Sequence, residues 1–380
     1  MANLGFINEF KKIVEKLESV SVGISKPSRW YSTGNYGLNY VACGSYLRGI
    51  PESRIVLLVG PSGGGKTFLA LNWAKQAQDD GAFVLALDSE NALDIEFLGK
   101  IGVNTSDESK FLKMDVGTVE DVNKIMSTFF KGYIAEHGRN KNGPPVFILL
   151  DSIAMLSTET EAENYEKGVI KGDQGQRAKR TKAMMRMICS KIAQLPITVV
   201  ATDHVYPQDI MIGDGQWAVT NSTKFAASII LLATRLKLKE GEEVVGVKMK
   251  VSSYKSRFTK IGNHIELEVP YDRGMSTTTG LMDILESNKI VTKSFGGWTF
   301  VDPESKEEFK IKESKKGQDL EENPALLTRI LEVAASKEAY ADIKEDFTSE
   351  EAEYIEEDET PEINVQERKG KRKTKVTEEE

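Results

Sequence analysis

The chain has 380 residues, of which 40% are hydrophobic, enough for one large core with smaller additions. It contains no run of 18 apolar residues, and its charged, amphipathic N-terminus lacks a signal-peptide stretch, so we expect no membrane span and a cytoplasmic location. The two cysteines, Cys43 and Cys189, lie far apart and outside any CxxC pair, which argues against a disulfide framework or a cysteine zinc site.

The net charge of −8 is distributed unevenly. Residues 342–380 contain 15 acidic and 7 basic side chains, so this segment carries the whole excess and the rest of the chain is neutral. The segment is also poor in apolar residues, which predicts a disordered tail. Because the remainder has no net charge, any nucleic-acid site must be a local basic strip.

The predicted elements begin with a short amphipathic helix at residues 6–20, followed by a linker at 21–28. From about Trp30, apolar strands alternate with amphipathic helices, which predicts a mostly parallel, doubly wound sheet. The strands are expected at residues 55–59, 83–87, 147–150, 197–201 and 229–233, with helices such as 67–78 and 179–193 between some of them. Two antiparallel strands are expected to extend the sheet at 244–251 and 265–269.

A smaller α/β unit is predicted after Gly274. It is expected to contain a helix at 281–287, short strands at 290–295 and 298–301, and a closing helix at 324–335. We therefore divide the chain into four parts: a helix and linker at 1–29, an α/β core at 30–273, a small subdomain at 274–341 and the acidic tail at 342–380.

A glycine-rich motif follows the strand at 55–59 and opens the helix at 67–78, which is the context that a phosphate-binding loop requires. Its glycines allow backbone N–H groups to turn towards phosphate oxygens. Lys66 is expected to reach the β- and γ-phosphates of ATP, and the Thr67 hydroxyl to ligate Mg²⁺. The alternative is an ordinary glycine-rich turn. The motif comprises Gly60, Pro61, Ser62, Gly63, Gly64, Gly65, Lys66 and Thr67.

A second metal ligand is expected at Asp151, directly after the apolar strand at 147–150. Ligands of open α/β sheets collect at the carboxyl ends of the strands. Asp151 is therefore predicted to hold Mg²⁺ directly or through water. An Asp that ends a strand can also be a simple cap or turn residue, which is the alternative here.

These motifs resemble those of RecA-type DNA recombinases. Residues 32–39 and 49–56 lead into the glycine-rich loop in the family's order, residues 87–94 are similar to its second-strand motif, and residues 150–154 are similar to its Walker B motif. The likeness spans most of residues 30–340. It implies a RecA-like P-loop ATPase core with a mostly parallel twisted sheet, a short N-terminal helix and a small C-terminal α/β subdomain.

Within this family, the short N-terminus, His204 and the sequence YKSR at 254–257 resemble the UvsX-like recombinases of T4-type phages more than bacterial RecA. Such a chain would work in the cytoplasm of a bacterial host.

The resemblance also implies roles for single residues of the nucleotide site. Glu90 matches the catalytic glutamate, whose carboxylate can orient and polarise the attacking water. Asp94 and Phe97 match positions that touch adenine, although Phe97 is as well explained by core packing. His204 stands where bacterial RecA has a glutamine that senses the γ-phosphate, and a ring nitrogen can donate in that place. A purely structural histidine is the alternative.

Three further residues match positions that act across the subunit boundary. Lys255 and Arg257 lie on a segment that resembles the one reaching the neighbour's γ-phosphate, where a cation can neutralise developing charge. Tyr271 resembles a residue that covers the neighbour's adenine. A solvated basic strand edge would explain the two cations equally simply.

Two long loops are predicted at 159–176 and 206–221, and loops of this length are usually functional or disordered. In the family they correspond to the loops that line the DNA channel. Cations can neutralise phosphates there, and apolar side chains can wedge or stack between bases. The alternative is a solvated helix face with a mobile lid. The candidate DNA-binding residues are Arg177, Lys179, Arg180, Lys182, Arg186, Met211, Ile212 and Trp217.

The resulting hypothesis is a DNA-dependent ATPase that forms filaments on single-stranded DNA and exchanges strands with homologous duplex DNA. Its activity would serve recombination, repair and replication, with single-strand-binding and mediator proteins as partners. A hexameric helicase shares this core, but it would normally have a sizeable domain before the motif, where about 55 residues stand here. A small-molecule kinase is the third hypothesis. The acidic tail is expected to compete with DNA for the cations of the core.

Overall fold

The computed structural model describes residues 4–14, 26–169, 175–207, 217–272, 274–313 and 318–344. The helices are α1 (Leu4–Val14), α2 (Tyr36–Cys43), α3 (Lys66–Asp79), α4 (Ile95–Ile101), α5 (Val119–His137), α6 (Glu159–Glu166), α7 (Gln176–Ile192), α8 (Asn221–Lys224), α9 (Leu281–Ser287), α10 (Gln318–Glu322) and α11 (Pro324–Lys344). The strands are β1 (Trp30–Tyr31), β2 (Ile50–Pro51), β3 (Ile55–Gly60), β4 (Phe83–Asp88), β5 (Phe111–Asp115), β6 (Val146–Asp151), β7 (Ile197–Pro207), β8 (Trp217–Val219), β9 (Ile229–Glu240), β10 (Glu243–Ser256), β11 (His264–Pro270), β12 (Thr292–Ser294), β13 (Gly297–Val301) and β14 (Glu308–Lys312).

Within the described residues, a nine-stranded sheet organises the fold in the order β11-β10-β9-β3-β7-β6-β4-β5, with β8 paired to β7. The strands from β9 to β5 in this order run parallel. Strands β10 and β11 join antiparallel, as the sequence predicts. The predicted α/β architecture with a mostly parallel sheet is therefore confirmed.

Strand β3 shows how the sheet is covered on both faces. Val56 and Leu58 point into one hydrophobic cluster together with side chains of α2 and α3. Ile55, Leu57 and Val59 point into a second cluster with α5 and α7. Because successive side chains of a strand face opposite sides, a strand with helices on both sides must be apolar throughout. This explains why the strand is an unbroken apolar run in the sequence.

The carboxyl ends of the parallel strands meet at one edge of the sheet. Gly60 at the end of β3 lies beside His204 in β7. Asp88 at the end of β4 lies beside Asp151 at the end of β6. The fold thus brings residues from four distant parts of the chain to one edge of the sheet. Ligands of open α/β sheets bind outside this edge.

Strand β5 and helix α5 are among the elements that the sequence prediction does not include. Helix α5 buries Val119, Val122, Met126, Phe130 and Tyr133, which recur every three or four residues. That spacing is the pattern of an amphipathic helix, so the signal is present in the sequence. Strand β5 gives a weaker signal, because only Phe111 among its five residues is buried.

The loop predicted at 159–176 is wrong in its first half, where α6 forms. Thr158 accepts the backbone N–H of Glu161 at 3.2 Å, and the Glu161 carboxylate accepts the N–H of Thr158 at 2.9 Å. This reciprocal capping starts a helix wherever Thr-x-x-Glu precedes a suitable turn. Helix α7 then begins at Gln176, while residues 170–174 lie outside the described part.

The N-terminal helix α1 begins at Leu4, and the predicted stretch from 15 to 25 lies outside the described residues. Phe6, Phe10 and Ile13 are 69%, 55% and 64% exposed. The rings of Phe6 and Phe10 stack with centroids 6.2 Å apart. Helix α1 therefore presents an apolar stripe to solvent in the single chain.

The C-terminal part contains α9, the three-stranded sheet β12-β13-β14 and α11. Strand β14 is absent from the sequence prediction, and the strand expected at 290–295 is limited to Thr292–Ser294. Trp298, Phe300 and Ile330 join the hydrophobic cluster that also receives α2 and α3. Helix α11 runs to Lys344, past its predicted end at 335 and into the first residues of the segment expected to be the tail. The residues beyond Lys344 lie outside the described part. No helix in the described ranges has both the length and the apolarity needed to cross a bilayer.

Candidate functional site

The glycine-rich loop joins β3 to α3 with no room for side chains at its ends. A Cβ on Gly60 would lie 2.1 Å from the carbonyl oxygen of Ala233 in β9. Gly65, the residue before α3, has φ +90°, which side chains other than glycine rarely adopt. Glycine at both positions therefore brings the N-terminus of α3 to the carboxyl edge of the sheet, where a phosphate is electrostatically favoured.

Lys66 is buried within this loop. Its Nζ donates to the carbonyl oxygens of Gly60 and Pro61, each at 3.0 Å. Burial lowers the pKa of Lys66, and the nearby carboxylates of Glu90 and Asp151 act in the opposite direction. The ammonium group is thus held by the loop itself, in a place where phosphate oxygens can replace the carbonyls.

Asp151 is buried at the end of β6. One carboxylate oxygen, Oδ1, accepts a short hydrogen bond from the Thr202 hydroxyl of β7. Burial raises the pKa of Asp151, while the hydroxyls of Thr202 and Thr67 lower it. The other oxygen, Oδ2, has no hydrogen-bond partner within the described part of the chain. A buried oxygen without a partner is costly unless something binds it.

Glu90 and His204 meet at the same edge. Glu90 Oε1 accepts a hydrogen bond of 2.5 Å from Ser152 Oγ and lies 3.5 Å from His204 Nε2. Ser152 is fixed in turn, because its N–H donates to Ser89 Oγ at 2.9 Å. The structure therefore brings together the two side chains that the sequence proposed as catalytic glutamate and γ-phosphate sensor.

Asp88 supports the turn that carries Glu90, and the sequence analysis missed it. Its carboxylate accepts the backbone N–H groups of Glu90 at 3.1 Å and of Leu93 at 3.0 Å. Lys113 of β5 lies 3.2 Å from the same carboxylate. A carboxylate at the end of a parallel strand was the reason to select Asp151, and the same rule would have found Asp88.

Asp203 is a second missed carboxylate of this edge and is only 3% exposed. Its Oδ1 accepts the N–H of His204 at 2.9 Å, and its Oδ2 accepts the Thr223 hydroxyl of α8 at 3.1 Å. Burial raises the pKa of Asp203, while hydrogen bonds from the Thr223 hydroxyl and the backbone N–H of His204 lower it. Asp203 therefore joins the strand of the proposed sensor to α8.

Arg235 is a further cation next to the loop. A Cβ built on Gly63 would lie 3.1 Å from a terminal nitrogen of the Arg235 guanidinium. The sequence prediction ended the strand at residue 233, whereas β9 continues to Glu240. A prediction that extended this strand to residue 235 would have included Arg235 among the candidate site residues.

Asp94 and Phe97, expected at adenine, begin helix α4. The Asp94 side chain caps the helix by accepting the N–H of Phe97 at 2.8 Å. Phe97 is half-buried and packs against the hydrophobic cluster of α2 and α3. Both residues thus have structural roles, which leaves the adenine contact a prediction.

Lys255, Arg257 and Tyr271 lie on and after β10 and β11. Lys255 Nζ donates to the carbonyl oxygen of Lys224 at 2.8 Å, and burial beside Arg257 lowers the pKa of Lys255. Arg257 is exposed, and Tyr271 is also exposed. In the single chain Lys255 is therefore anchored to α8, and its action on a neighbour stays a prediction.

The basic residues of α7 differ in how available they are. The helix buries Met184, Met185 and Ile188 in the core. Arg180 is paired with Glu120, and Lys182 Nζ lies 5.8 Å from the ring centre of Phe225. Among the five predicted DNA-binding cations, the exposed ones are Lys179, Lys182 and Arg186, while Arg177 and Arg180 are half-buried.

The apolar residues proposed for base contacts are placed only in part. Met211 and Ile212 lie outside the described residues. Trp217 begins β8, which pairs antiparallel with the end of β7, so that Trp217 stands opposite Pro207. The second predicted loop therefore starts at the end of β7, the strand that carries His204, and its other end forms β8, which pairs with β7.

Comparisons with known proteins agree with this geometry. Residues 19–276 match the family model of the RecA N-terminal domain. The RecA protein of Campylobacter jejuni is 28% identical over 329 residues, which cover 85% of this chain and 83% of that protein. RecA of Pseudomonas putida is 30% identical over 272 residues, 70% of each chain. The chain therefore belongs to the RecA family, and it is an ATP-dependent DNA strand-exchange recombinase with DNA-dependent ATPase activity.

Proposed function

We propose that this chain is a recombinase of the UvsX-like group of T4-type phages, which assembles on single-stranded DNA and pairs it with homologous duplex DNA. It would act in the cytoplasm of a bacterial host in recombination, repair and recombination-dependent replication. The observation that carries the proposal is the convergence of Lys66, Glu90 and Asp151 at one edge of the sheet, with His204 beside Glu90. A histidine in this place supports the phage group.

The residues at this edge fit a magnesium ion. Asp151 offers a buried oxygen that has no hydrogen-bond partner among the residues that the structure describes, and the Thr67 hydroxyl lowers the pKa of this carboxyl group. Hard divalent cations prefer such oxygen ligands. When bound, Mg²⁺ would neutralise charge on the phosphates of ATP. We propose Thr67 and Asp151 as the residues that hold it, directly or through water.

The protein side of the hydrolysis follows from the same contacts. Lys66, whose Nζ donates to the carbonyls of Gly60 and Pro61, would exchange these partners for oxygens of the β- and γ-phosphates. The Glu90 carboxylate, fixed by Ser152, accepts a hydrogen bond from the attacking water and orients it. His204, whose Nε2 lies 3.5 Å from Glu90 Oε1, is proposed to sense whether the γ-phosphate is present. Asp94 and Phe97 are proposed to border the adenine.

DNA is proposed to bind along α7, with its phosphates near the five cations of this helix, Arg177, Lys179, Arg180, Lys182 and Arg186. Met211, Ile212 and Trp217 are proposed to contact bases, since binding to single strands commonly combines cations with apolar or aromatic surfaces. Such contacts read no sequence, which suits an enzyme whose homology test is base pairing.

A second copy of the chain is proposed to complete the assembly. The apolar stripe of α1 would be buried against a neighbour, since a helix this short is marginal alone in water. Lys255, Arg257 and Tyr271 would face the neighbour's ATP. In this arrangement residues 1–29 join protomers, 30–273 hold nucleotide and DNA, 274–341 form an accessory subdomain, and the tail at 342–380 regulates access. Single-strand-binding and mediator proteins would load the filament.

The test is ATP turnover with and without single-stranded DNA, combined with electron microscopy of the same samples. We expect DNA to stimulate hydrolysis and filaments to form on it in the presence of ATP. Closed rings would favour a helicase. ATP turnover that is unaffected by DNA, with the γ-phosphoryl group transferred to a small molecule instead of to water, would contradict the proposal.

A further inference from the structure

The start of helix α6 is tied to the start of helix α5 by backbone contacts. The N–H of Val119 donates to the carbonyl of Ser157 at 2.9 Å, and the N–H of Ser157 donates to Gly117 at 3.0 Å. Thr118 and Ser157 thereby form an isolated parallel bridge. Since Thr118 caps α5 and Thr158 caps α6, the two helices begin side by side.

Glu120 adds a third helix to this junction. Its Oε2 accepts the backbone N–H of Glu159, the first residue of α6, at 3.1 Å. Its Oε1 is paired with the guanidinium of Arg180 on α7. The two side chains are 22% and 38% exposed, so water reaches them only in part. A carboxylate in the first turn of a helix is also favoured by the helix dipole. One carboxylate therefore joins α5, α6 and α7, and we call this set of contacts of Glu120 with Glu159 and Arg180 the joint.

Arg180 and Arg186 are matched in type and share α7, but their surroundings differ. Arg180 is charge-paired with Glu120. Arg186 is exposed and has no ion pair among the described residues. An exposed guanidinium that neutralises a DNA phosphate releases a counterion from the DNA. A guanidinium that stays paired with a carboxylate of the protein neutralises no phosphate, so no counterion is released.

We propose that Glu120 is a positioning residue that fixes α6 against α7, and that Arg180 serves this joint and does not neutralise a DNA phosphate. The inference rests on the proposed binding of single-stranded DNA along α7, and it removes Arg180 from the set of phosphate contacts suggested by the sequence. The joint keeps the start of α6 next to the cations of α7 while Lys179, Lys182 and Arg186 remain available.

The first test compares Arg180→Ala with Arg186→Ala, which remove the same charge from the same helix. Affinity for a short oligo-dT is measured by fluorescence anisotropy over a range of salt concentrations, with a non-hydrolysable ATP analogue. We expect Arg186→Ala to make the slope of log affinity against log salt shallower by about 0.7, the loss of one phosphate contact on a single strand. Arg180→Ala should leave the slope of the wild type unchanged. An equal loss of slope in both variants would overturn the proposal.

The second test measures the joint without DNA, by hydrogen exchange of the backbone amides of α6. Glu120→Gln and Arg180→Ala should both accelerate exchange at Glu159 and through the first turn of α6. Two controls should not: Arg186→Ala, and Glu166→Gln, which makes the same charge change as Glu120→Gln at the exposed end of α6. Unchanged protection of α6 in Glu120→Gln would overturn the proposal.

Two further comparisons keep the outcomes separate. If Arg180→Ala does not fold, Arg180→Lys retains the charge and the helix, and it should loosen α6 while keeping the slope of the wild type. If the wild type itself fails to bind oligo-dT, the proposed function fails, whereas the exchange of α6 still decides whether Glu120 holds the joint.

Discussion

The nucleotide site and the surfaces proposed for partners differ in how far a single chain completes them. Lys66, Asp151 and Asp203 are buried, and contacts from neighbouring strands and loops fix each of them. Phe10 of α1 and Arg186 of α7 are exposed. Buried charges are stable only with partners, whereas a surface that binds another molecule must stay open. The fold thus prearranges the nucleotide-binding edge within one chain, whereas the surfaces proposed for a neighbour and for DNA stay open in the single chain.

The largest effect is expected at the centre of the prearranged site. Lys66→Ala removes the main cation at the β- and γ-phosphates, and we expect steady-state ATP turnover to fall at least about 10³-fold. Lys75→Ala is the matched control and should retain normal turnover, because this half-buried lysine of the same helix pairs with Asp79. Near-normal hydrolysis by Lys66→Ala would show that the loop does not act on phosphates.

Glu90→Gln should separate binding from hydrolysis. The amide can still accept the hydrogen bond of Ser152, but it polarises water poorly, so we expect hydrolysis to slow by about 10²–10⁴-fold while ATP affinity is retained. Single-turnover hydrolysis and equilibrium binding of labelled ATP measure the two quantities. Glu96→Gln, an exposed residue of α4 paired with Lys100, is the control. Turnover at the normal rate in Glu90→Gln would remove this residue from the mechanism.

The residues of the nucleotide site differ in how well the sequence predicts them. Lys66, Thr67 and Asp151 were found because their motifs have a fixed local spacing along one strand and its neighbouring turn. Asp88 directly follows the strand predicted at 83–87, so the rule that selected Asp151 applies to it as well. Asp203 lies within β7, beyond the predicted strand end at 201, and its place at the edge follows only from the pairing of β7 with β3. Strand order becomes informative only when the register of the sheet is known.

The capping pair of Thr158 and Glu161 is a local pattern that could have predicted α6, and the loop prediction overlooked it.

Contacts between elements that are distant along the chain could not be predicted from the sequence. The pairing of Glu120 with Arg180 joins residues 60 positions apart, and nothing in the composition of α7 separates Arg180 from Arg186. The packing of α5 against α7 separates them, because it pairs Arg180 with Glu120 and leaves Arg186 exposed.

A smaller effect is expected on the exposed surface. Replacing Phe6 and Phe10 by Ser removes the apolar stripe of α1 without touching the core, so thermal stability should be unchanged. Because each ring would contribute about 1.5 kcal/mol or more when buried, we expect the protein concentration needed for filaments to rise at least about tenfold. Electron microscopy or light scattering measures it. Lys11→Ser with Lys12→Ser is the control, and unchanged assembly of the Phe variant would show that α1 packs elsewhere.

The smallest effect concerns the stability of the nucleotide-free protein. Burial raises the pKa of Asp151, so the charged form is disfavoured in the folded state relative to the unfolded chain. The wild type should therefore lose stability as pH rises from the unfolded pKa of about 3.9 through the raised folded pKa. Asp151→Asn should have a Tm a few degrees higher at pH 7 and little advantage near pH 3.5. A difference in Tm between Asp151→Asn and the wild type that is the same at both pH values would contradict this account of the site.

The claim that one chain holds the nucleotide while its neighbour completes the reaction is tested most directly by mixing two inactive variants. Lys66→Ala lacks the loop cation, and Lys255→Ala lacks the cation proposed to reach the neighbour's γ-phosphate. Each alone should show almost no DNA-stimulated ATP hydrolysis, whereas an equimolar mixture on single-stranded DNA should recover up to about one quarter of wild-type activity, as random neighbours pair an intact loop with an intact Lys255. No recovery at any mixing ratio, with both variants present in the same filaments, would place Lys255 within its own chain's site and contradict the account.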